Sequence, residues 1–311
     1  MPRHHIILDC DPGQDDAIAL LLALASPDEI ELLGVTAVAG NVPLALTAKN
    51  AQRVLALAGR AEVPVWAGCE RPLIRELETA EYVHGKTGLD GAELPPPAAP
   101  LAPGHAVDAI IELVMSRPPQ SVTLCPTGPL TNVALAIRKE PRLAERLARI
   151  VLMGGSMELG NVTPAAEFNI HVDPHAADIV FRAGVPLVMM GLDVTHKALV
   201  TEPRLHAIAA IGTPVAKAAA GLLDFFNRFD KERYGAPGGP LHDPCVIAWL
   251  IEPTLFGGRD CPVEIVREGP SAGRTLVDWW NMHRRPPAAH VVRDVDADRF
   301  FALLTERLAR L

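Results

Sequence analysis

The chain has 311 residues, 49% of them hydrophobic, enough to bury a large core, and the length suits one α/β unit over residues 1–311. A formal net charge of -8, without a Lys/Arg run or a basic aromatic stripe, argues against nucleic acid as a partner and for a small molecule. Five scattered cysteines with no Cys-x-x-Cys pair fit reduced thiols in a cytoplasmic protein. No apolar stretch spans a membrane free of charges and breakers, and an N-terminus that enters a strand directly leaves no signal peptide to expect.

The run His4-His5-Ile6-Ile7-Leu8 predicts a buried strand and Ala17 to Ala25 a helix. Between them Asp9, Asp11, Asp15 and Asp16 place four carboxylates within eight residues, on a turn bent by Pro12 and Gly13. A carboxylate in the first helical turn is favoured by free N–H groups and the dipole, which accounts for one acid or two. Four this close repel one another unless a cation or protons offset the charge. An all-oxygen ligand set suits a hard ion, Ca²⁺ or Mg²⁺, over zinc. The spacing is not that of an EF-hand. A strand followed by Asp-x-Asp also opens the haloacid dehalogenase-type phosphatases, but Gly13 stands where those enzymes have Thr or Val.

Glu31 to Val38 predicts a second strand ending at Ala39-Gly40-Asn41, where Asn41 reads as a cap for the helix Pro43 to Ala58. Val63 to Ala67 is a third strand. Residues 68–104 lose periodicity and form a surface excursion whose segment His84 to Gly91 suits an active-site lid. The helix His105 to Ser116 and the strand Ser121 to Cys125 follow. That strand runs into Pro126-Thr127-Gly128-Pro129 and the helix Asn132 to Arg138, repeating the strand, Gly/Pro turn, helix layout of the start. Strands at Arg149 to Met153 and Pro186 to Met190 flank an irregular loop and the helix Pro174 to Ala183. Beyond residue 200 come helices Glu202 to Ala210, Pro214 to Lys231 and Cys245 to Leu250, the hairpin Cys261–Arg267 with Arg274–Trp279, and a last strand and helix. Through residue 190 the alternation is that of a mostly parallel sheet flanked by helices, in which ligands bind beyond the strands' carboxyl ends. Asp11, Asn41, Thr127 and Asn161 all fall just after predicted strands. Asp243 reads as a helix cap, but its neighbour His242 is a residue type suited to acid–base work near neutral pH and follows a Gly/Pro run.

The stretch Asp9-x-Asp11-Pro12-Gly13-x-Asp15-Asp16-Ala17 closely resembles the amino-terminal signature of the nucleoside hydrolase family, the inosine-uridine preferring N-ribohydrolases. Ala39-Gly40-Asn41, Pro126 to Asn132, Met153-Gly154-Gly155, Asn161, Glu167-Phe168-Asn169, Asp173-Pro174, Asp193-Val194-Thr195 and His242-Asp243-Pro244 match it in order over roughly residues 5 to 250. The resemblance implies a Rossmann-like fold with C-terminal helical additions, and hydrolysis of the N-glycosidic bond of ribonucleosides to ribose and free base.

The resemblance also implies roles. Asp11, Asp16, Asp243 and the carbonyl of Thr127 hold Ca²⁺, and Asp11 takes a proton from a Ca²⁺-held water. Asp15, Asn41 and Asn169 grip the ribose 2′ and 3′ hydroxyls, and Met153, Asn161 and Glu167 face its 5′ end. His242 lies on the base side, and the family places a histidine of the His84 loop near the substrate. Homo-oligomers, tetrameric or dimeric, are implied as well. The segment Leu223 to Tyr234 resembles the bacterial pyrimidine-preferring members, with Phe229 or Tyr234 against the base, so uridine and cytidine are expected over inosine. On the residues alone, Asp9 reads as structural, and His171, His175 and His196 as ordinary polar contacts. Trp249, Trp279 and Trp280 read as core or interface. Other functions compatible with the residues are a broad inosine-uridine hydrolase, a metal-dependent phosphatase using Asp9 or Asp11 as nucleophile, and a non-catalytic nucleoside or ribose sensor.

Overall fold

In the computed structural model, which describes residues 3–311, the alternating strands and helices close into one eight-stranded sheet. β1 (His4–Cys10) lies inside it, with β2 (Ile30–Ala37) and β3 (Val65–Ala67) on one side. β4 (Val122–Pro126), β5 (Leu147–Met153) and β6 (Leu187–Met190) extend it on the other, and these six strands are parallel. β7 (Phe256–Cys261), β8 (Val263–Ile265), β9 (Thr275–Val277) and β10 (Ala289–Val295) follow. β10 joins β6 in parallel, β7 closes the far edge antiparallel to β10, and β8 pairs with β9 in a separate hairpin. The expected mostly parallel sheet flanked by helices is the fold observed.

Both faces of β1 are buried, which is why it reads as a continuous apolar run. Ile6, Leu8 and Cys10 join the core built with the helix Gln14–Leu24, while Ile7 joins the opposite core with Ile110 and Val133. From β1 the chain first winds outward through β2 and β3, then crosses back to β4 on β1's other flank. The connections leaving β1 and β4 therefore part in opposite directions, opening a crevice at the carboxyl ends of these strands.

Three elements differ from the sequence reading. β7 is unforeseen: Gly257 and Gly258 are poor strand formers, and exposed Arg259 and Asp260 break any apolar alternation, so pairing with β10 alone defines the strand. The hairpin is shorter than expected, Val263–Ile265 against Thr275–Val277. Trp280 is exposed, 75% accessible beneath the Arg259 guanidinium, and is no part of the core. The helix Pro214–Tyr234 outruns its expected end and stops at Gly235, whose φ of 63° ordinary residues disfavour. Beyond it the Gly/Pro run is anchored. Gly239 O accepts from Val200 N at 2.9 Å, Gly239 N donates to Asn227 Oδ1 at 2.7 Å, and Leu241 N donates to Ala198 O at 2.9 Å. This anchoring carries His242 and Asp243 to the carboxyl end of β1.

Candidate active site

Asp11 leaves the end of β1 and turns under the loop that follows β2. Its Oδ2 accepts from Asn41 N at 2.7 Å, and Asn41 Nδ2 donates back to Asp11 O at 3.0 Å. The approach is close enough that a Cβ at Gly40 would overlap Asp11 Oδ2, and one at Gly128 would stand 2.5 Å from Oδ1. Glycine at both positions is what lets the β2 and β4 loops close over the carboxylate. Asp16, in the first turn of the helix Gln14–Leu24, accepts from Gly13 N at 3.0 Å and from the Thr127 hydroxyl at 2.7 Å. It also accepts from Asn41 Nδ2 at 3.3 Å. Asp16 thus ties the loops after β1, β2 and β4 together.

Asp243 is delivered from the opposite side by the helix Pro244–Ile251 and makes no side-chain capping bond. Carboxylate oxygens of Asp15, Asp16 and Asp243 lie within 4.8 Å of one another, all three residues buried. Burial first, and then the charges of Asp15, Asp16 and Asp11, push the Asp243 carboxyl well above its usual range. Burial and Asp16 raise Asp15 to about 7, and burial raises Asp16 to about 6. Asp11 is driven up by burial and by Asp16. Oδ1 of Asp11 and Oδ1 of Asp15 are buried without any hydrogen-bond partner. No Lys or Arg is among the described residues lining the cavity above. Clustered buried carboxylates with orphaned oxygens and no protein cation make a site that fits a hard divalent ion, as expected of these acids, although the three within reach of one another are Asp15, Asp16 and Asp243, with Asp15 where the expected set has Asp11.

Asp9 stands apart, accepting from the Thr36 hydroxyl at 2.6 Å and Asn132 Nδ2 at 2.9 Å. Those bonds pin β1 to β2 and to the helix Thr131–Lys139, the structural part expected of it. Asn41 was read first as a helix cap; the structure puts Pro43 at that position, and the Asn41 side chain goes to the acids instead.

Above the acids opens a cavity of about 430 Å³. Asp15, Asn41, Thr127 and Asp243 form its floor. Asn169 Nδ2 donates to Thr127 O at 2.7 Å and to Met153 O at 3.2 Å, linking the β4 and β5 loops. Glu167 accepts from Gly155 N at 2.8 Å, Asn169 N at 2.8 Å and Ile170 N at 3.2 Å, yet burial still raises it to about 7. Asn161 Oδ1 accepts from Phe168 N at 3.0 Å, so this wall holds Asn161, Met153, Glu167 and Asn169 together.

The opposite wall is aromatic. His84 and His242 flank Phe226, with ring centroids 5.6 and 6.3 Å away. His242 Nδ1 lies 2.8 Å from the Thr195 hydroxyl, and burial holds its ring neutral, with His196 and His84 adding to the effect. Burial also lowers His84 to about 3. Tyr234 stands at the mouth, edge-on to Phe229. Twelve of the fourteen residues given a site role from the sequence, Phe229 among them, line this one cavity, and Asp11 and Asp16 lie directly beneath Asn41. Sequence reasoning missed Phe226, Tyr82 and Asp230, and read His196 as an ordinary polar contact. His196 lines the cavity with its ring 5.7 Å from His242. Its place just after β6, at a strand's carboxyl end, is the signal that would have found it.

Comparison with known proteins agrees with this geometry. The family described as inosine-uridine preferring nucleoside hydrolase matches residues 6–302. The pyrimidine-specific ribonucleoside hydrolase RihA of Photobacterium profundum is 50% identical over 306 residues, 98% of each chain. Its namesake in Salmonella typhimurium is 49% identical over 97% of each. The solved purine-preferring ribonucleoside hydrolase of Gardnerella vaginalis superposes with a TM-score of 0.91 at 34% identity, over 98% of both chains. Strand-end acids, an amide-rich wall and whole-length similarity lead to one assignment: the chain belongs to the inosine-uridine preferring nucleoside hydrolase family and is a ribonucleoside hydrolase.

Proposed function

We propose that the protein hydrolyses pyrimidine ribonucleosides, uridine and cytidine ahead of inosine, with Ca²⁺ held by Asp11, Asp16, Asp243 and the carbonyl of Thr127. The observation that carries the reading is the buried acid floor with two orphaned carboxylate oxygens beneath a cavity walled by Asn161, Glu167 and Asn169. When bound, the ion supplies positive charge that orients a water and makes it more acidic.

Breaking a ribosyl N–C bond moves its electron pair onto the base and builds positive charge on the sugar. A carboxylate-lined cup stabilises that charge more than the neutral ground state. Asp11, with Oδ1 free of protein donors, takes a proton from the attacking water as its oxygen bonds to the anomeric carbon. Asp15, Asn41 and Asn169 hold the 2′ and 3′ hydroxyls, and Met153, Asn161 and Glu167 face the 5′ end. Neutral His242 lies on the base side, where its ring N–H can offset charge developing on the departing base. Tyr234 and the aromatic wall cover the base.

Pyrimidine preference rests on the relatives near 50% identity named pyrimidine-specific, against 34% for the purine-preferring structure. Five free buried cysteines suit a reducing, cytoplasmic setting, and a dimer or tetramer belongs to the same reading. Release of reducing sugar from uridine, cytidine and inosine tests it. Higher kcat/KM for the pyrimidines is expected, and equal or higher values for inosine would overturn the preference.

A further inference from the structure

Gln14 lies between Gly13 and Asp15, fully buried, and neither the acid floor nor the ribose wall uses it. Its Nε2 donates to the carbonyls of His84 at 2.9 Å and Asp90 at 3.0 Å. A carbonyl oxygen can only accept, so these two bonds fix which end of the amide is nitrogen. Oε1 is thereby left facing His84 Nδ1 at 2.7 Å. An amide oxygen also only accepts, so the imidazole must carry a proton on Nδ1. The neutral ring has one N–H, and Nε2 then bears a lone pair. That atom has no hydrogen-bond partner among the described residues, and His84 lines the cavity. The ring cannot swing away easily: Phe226 packs on it at 5.6 Å, and a Cβ at Gly13 would overlap it.

We propose that Gln14 is a positioning residue that fixes His84 as the Nδ1–H tautomer, so that bare Nε2 meets the substrate as an acceptor for an N–H of the nucleobase. The ligand's identity rests on the nucleoside reading, whereas the tautomer rests on the hydrogen bonds and on the burial that keeps the ring neutral. His84 then recognises the base through a donor such as the uracil N3–H or the cytosine amino group, and it does not deliver the leaving base's proton. Gln14 also fastens the 84–90 segment to the acidic turn, so turnover alone cannot separate the two roles.

Nitrogen NMR of histidine-labelled protein separates them, with the His84 signals assigned by their absence in His84→Gln. Expected from pH 6 to 8 is a protonated Nδ1 and an unprotonated Nε2, and a protonated Nε2 in the wild type overturns the proposal. In Gln14→Leu the signals should move toward a mixture of tautomers. The KM for uridine should rise about tenfold, the worth of one hydrogen bond, with a smaller change in kcat. A nitrophenyl riboside, whose leaving group has no N–H, should keep its KM within about twofold, well inside the effect of one hydrogen bond. Equal KM increases for both substrates would assign Gln14 to loop anchoring and overturn the proposal. Absence of turnover on every nucleoside by the wild type would instead remove the hydrolase reading and leave the tautomer measurement standing.

Discussion

Asp11→Asn exchanges one carboxylate oxygen for an amino group at nearly constant shape, and the structure gives its effects on turnover and stability opposite signs. The bond from Asn41 N at 2.7 Å survives, because the amide oxygen can take the place of Oδ2. What is lost is the proton-accepting oxygen that no protein group occupies. A positioned general base supplies roughly 10²–10⁴-fold, about 3–5 kcal/mol, so kcat/KM on uridine should fall by at least about 100-fold. Stability should move the other way in cation-free protein. Burial and Asp16 hold the Asp11 carboxyl well above its ordinary range, so an ionised Asp11 opposes folding near pH 8. Removing that charge should stabilise by on the order of 1 kcal/mol, about what one pK unit is worth, even though the Asn amide nitrogen takes over the partnerless position of Oδ1. At about 2–4 °C per kcal/mol for a large domain, chelated Asp11→Asn should melt a few degrees above chelated wild type. Sugar release and thermal melting in chelator at pH 8 read the two effects. Wild-type turnover in the variant would refute Asp11 as the base, and lost turnover with a lower melting temperature would assign the loss to damaged structure.

Calcium returned to chelated protein should restore turnover and raise the melting temperature, by about 2.7 kcal/mol of stabilisation at a hundredfold excess over Kd; no shift with any divalent ion would refute a cation at the acid floor. The pH dependence of the chelated protein has a definite sign. Asp9 and Glu167 are raised to about 7 and Asp16 to about 6, chiefly by burial, so the folded chain holds protons more tightly than the unfolded one. Their contribution favours folding below about pH 4 and is lost as pH climbs through about 4 to 7. Melting temperature in chelator should therefore fall from pH 5 to pH 8, and a flat or rising curve would contradict it. Gly40→Ala should cost at least about tenfold in kcat/KM, because its Cβ overlaps Asp11 Oδ2 and displaces a group that must be held to within about 1 Å; unchanged kinetics would show that the β2 loop yields without disturbing Asp11.

The parallel half of the sheet was legible because strands buried on both faces must be apolar throughout, as Ile6 to Leu8 and Ile150 to Met153 are. β7 was not, because an edge strand with one neighbour needs no apolar face, and its Gly257-Gly258 pair points to a turn. Among site residues, Phe226 was hidden for a related reason. It sits on the inner face of the helix Pro214–Tyr234, where a core aromatic and a cavity wall look alike in sequence.

Asn41 and Asp243 show a deeper ambiguity, since the short polar residues that cap helices are also those that bind cations and hydroxyls. Electrostatics separates the two uses. A capping carboxylate is paired with N–H groups, as Asp173 is with Ala176 N at 3.0 Å and Leu73 N at 2.8 Å. Asp243 has no capping bond and is raised by burial and three neighbouring acids. Sequence shows the acids but not this sign, which appears only when the loop after residue 234 brings Asp243 against Asp15 and Asp16. The cavity's described lining offers no Lys or Arg in return. In the proposed reading the positive charge that meets this floor comes from outside the chain: first from a bound ion, then from the sugar as its bond to the base breaks.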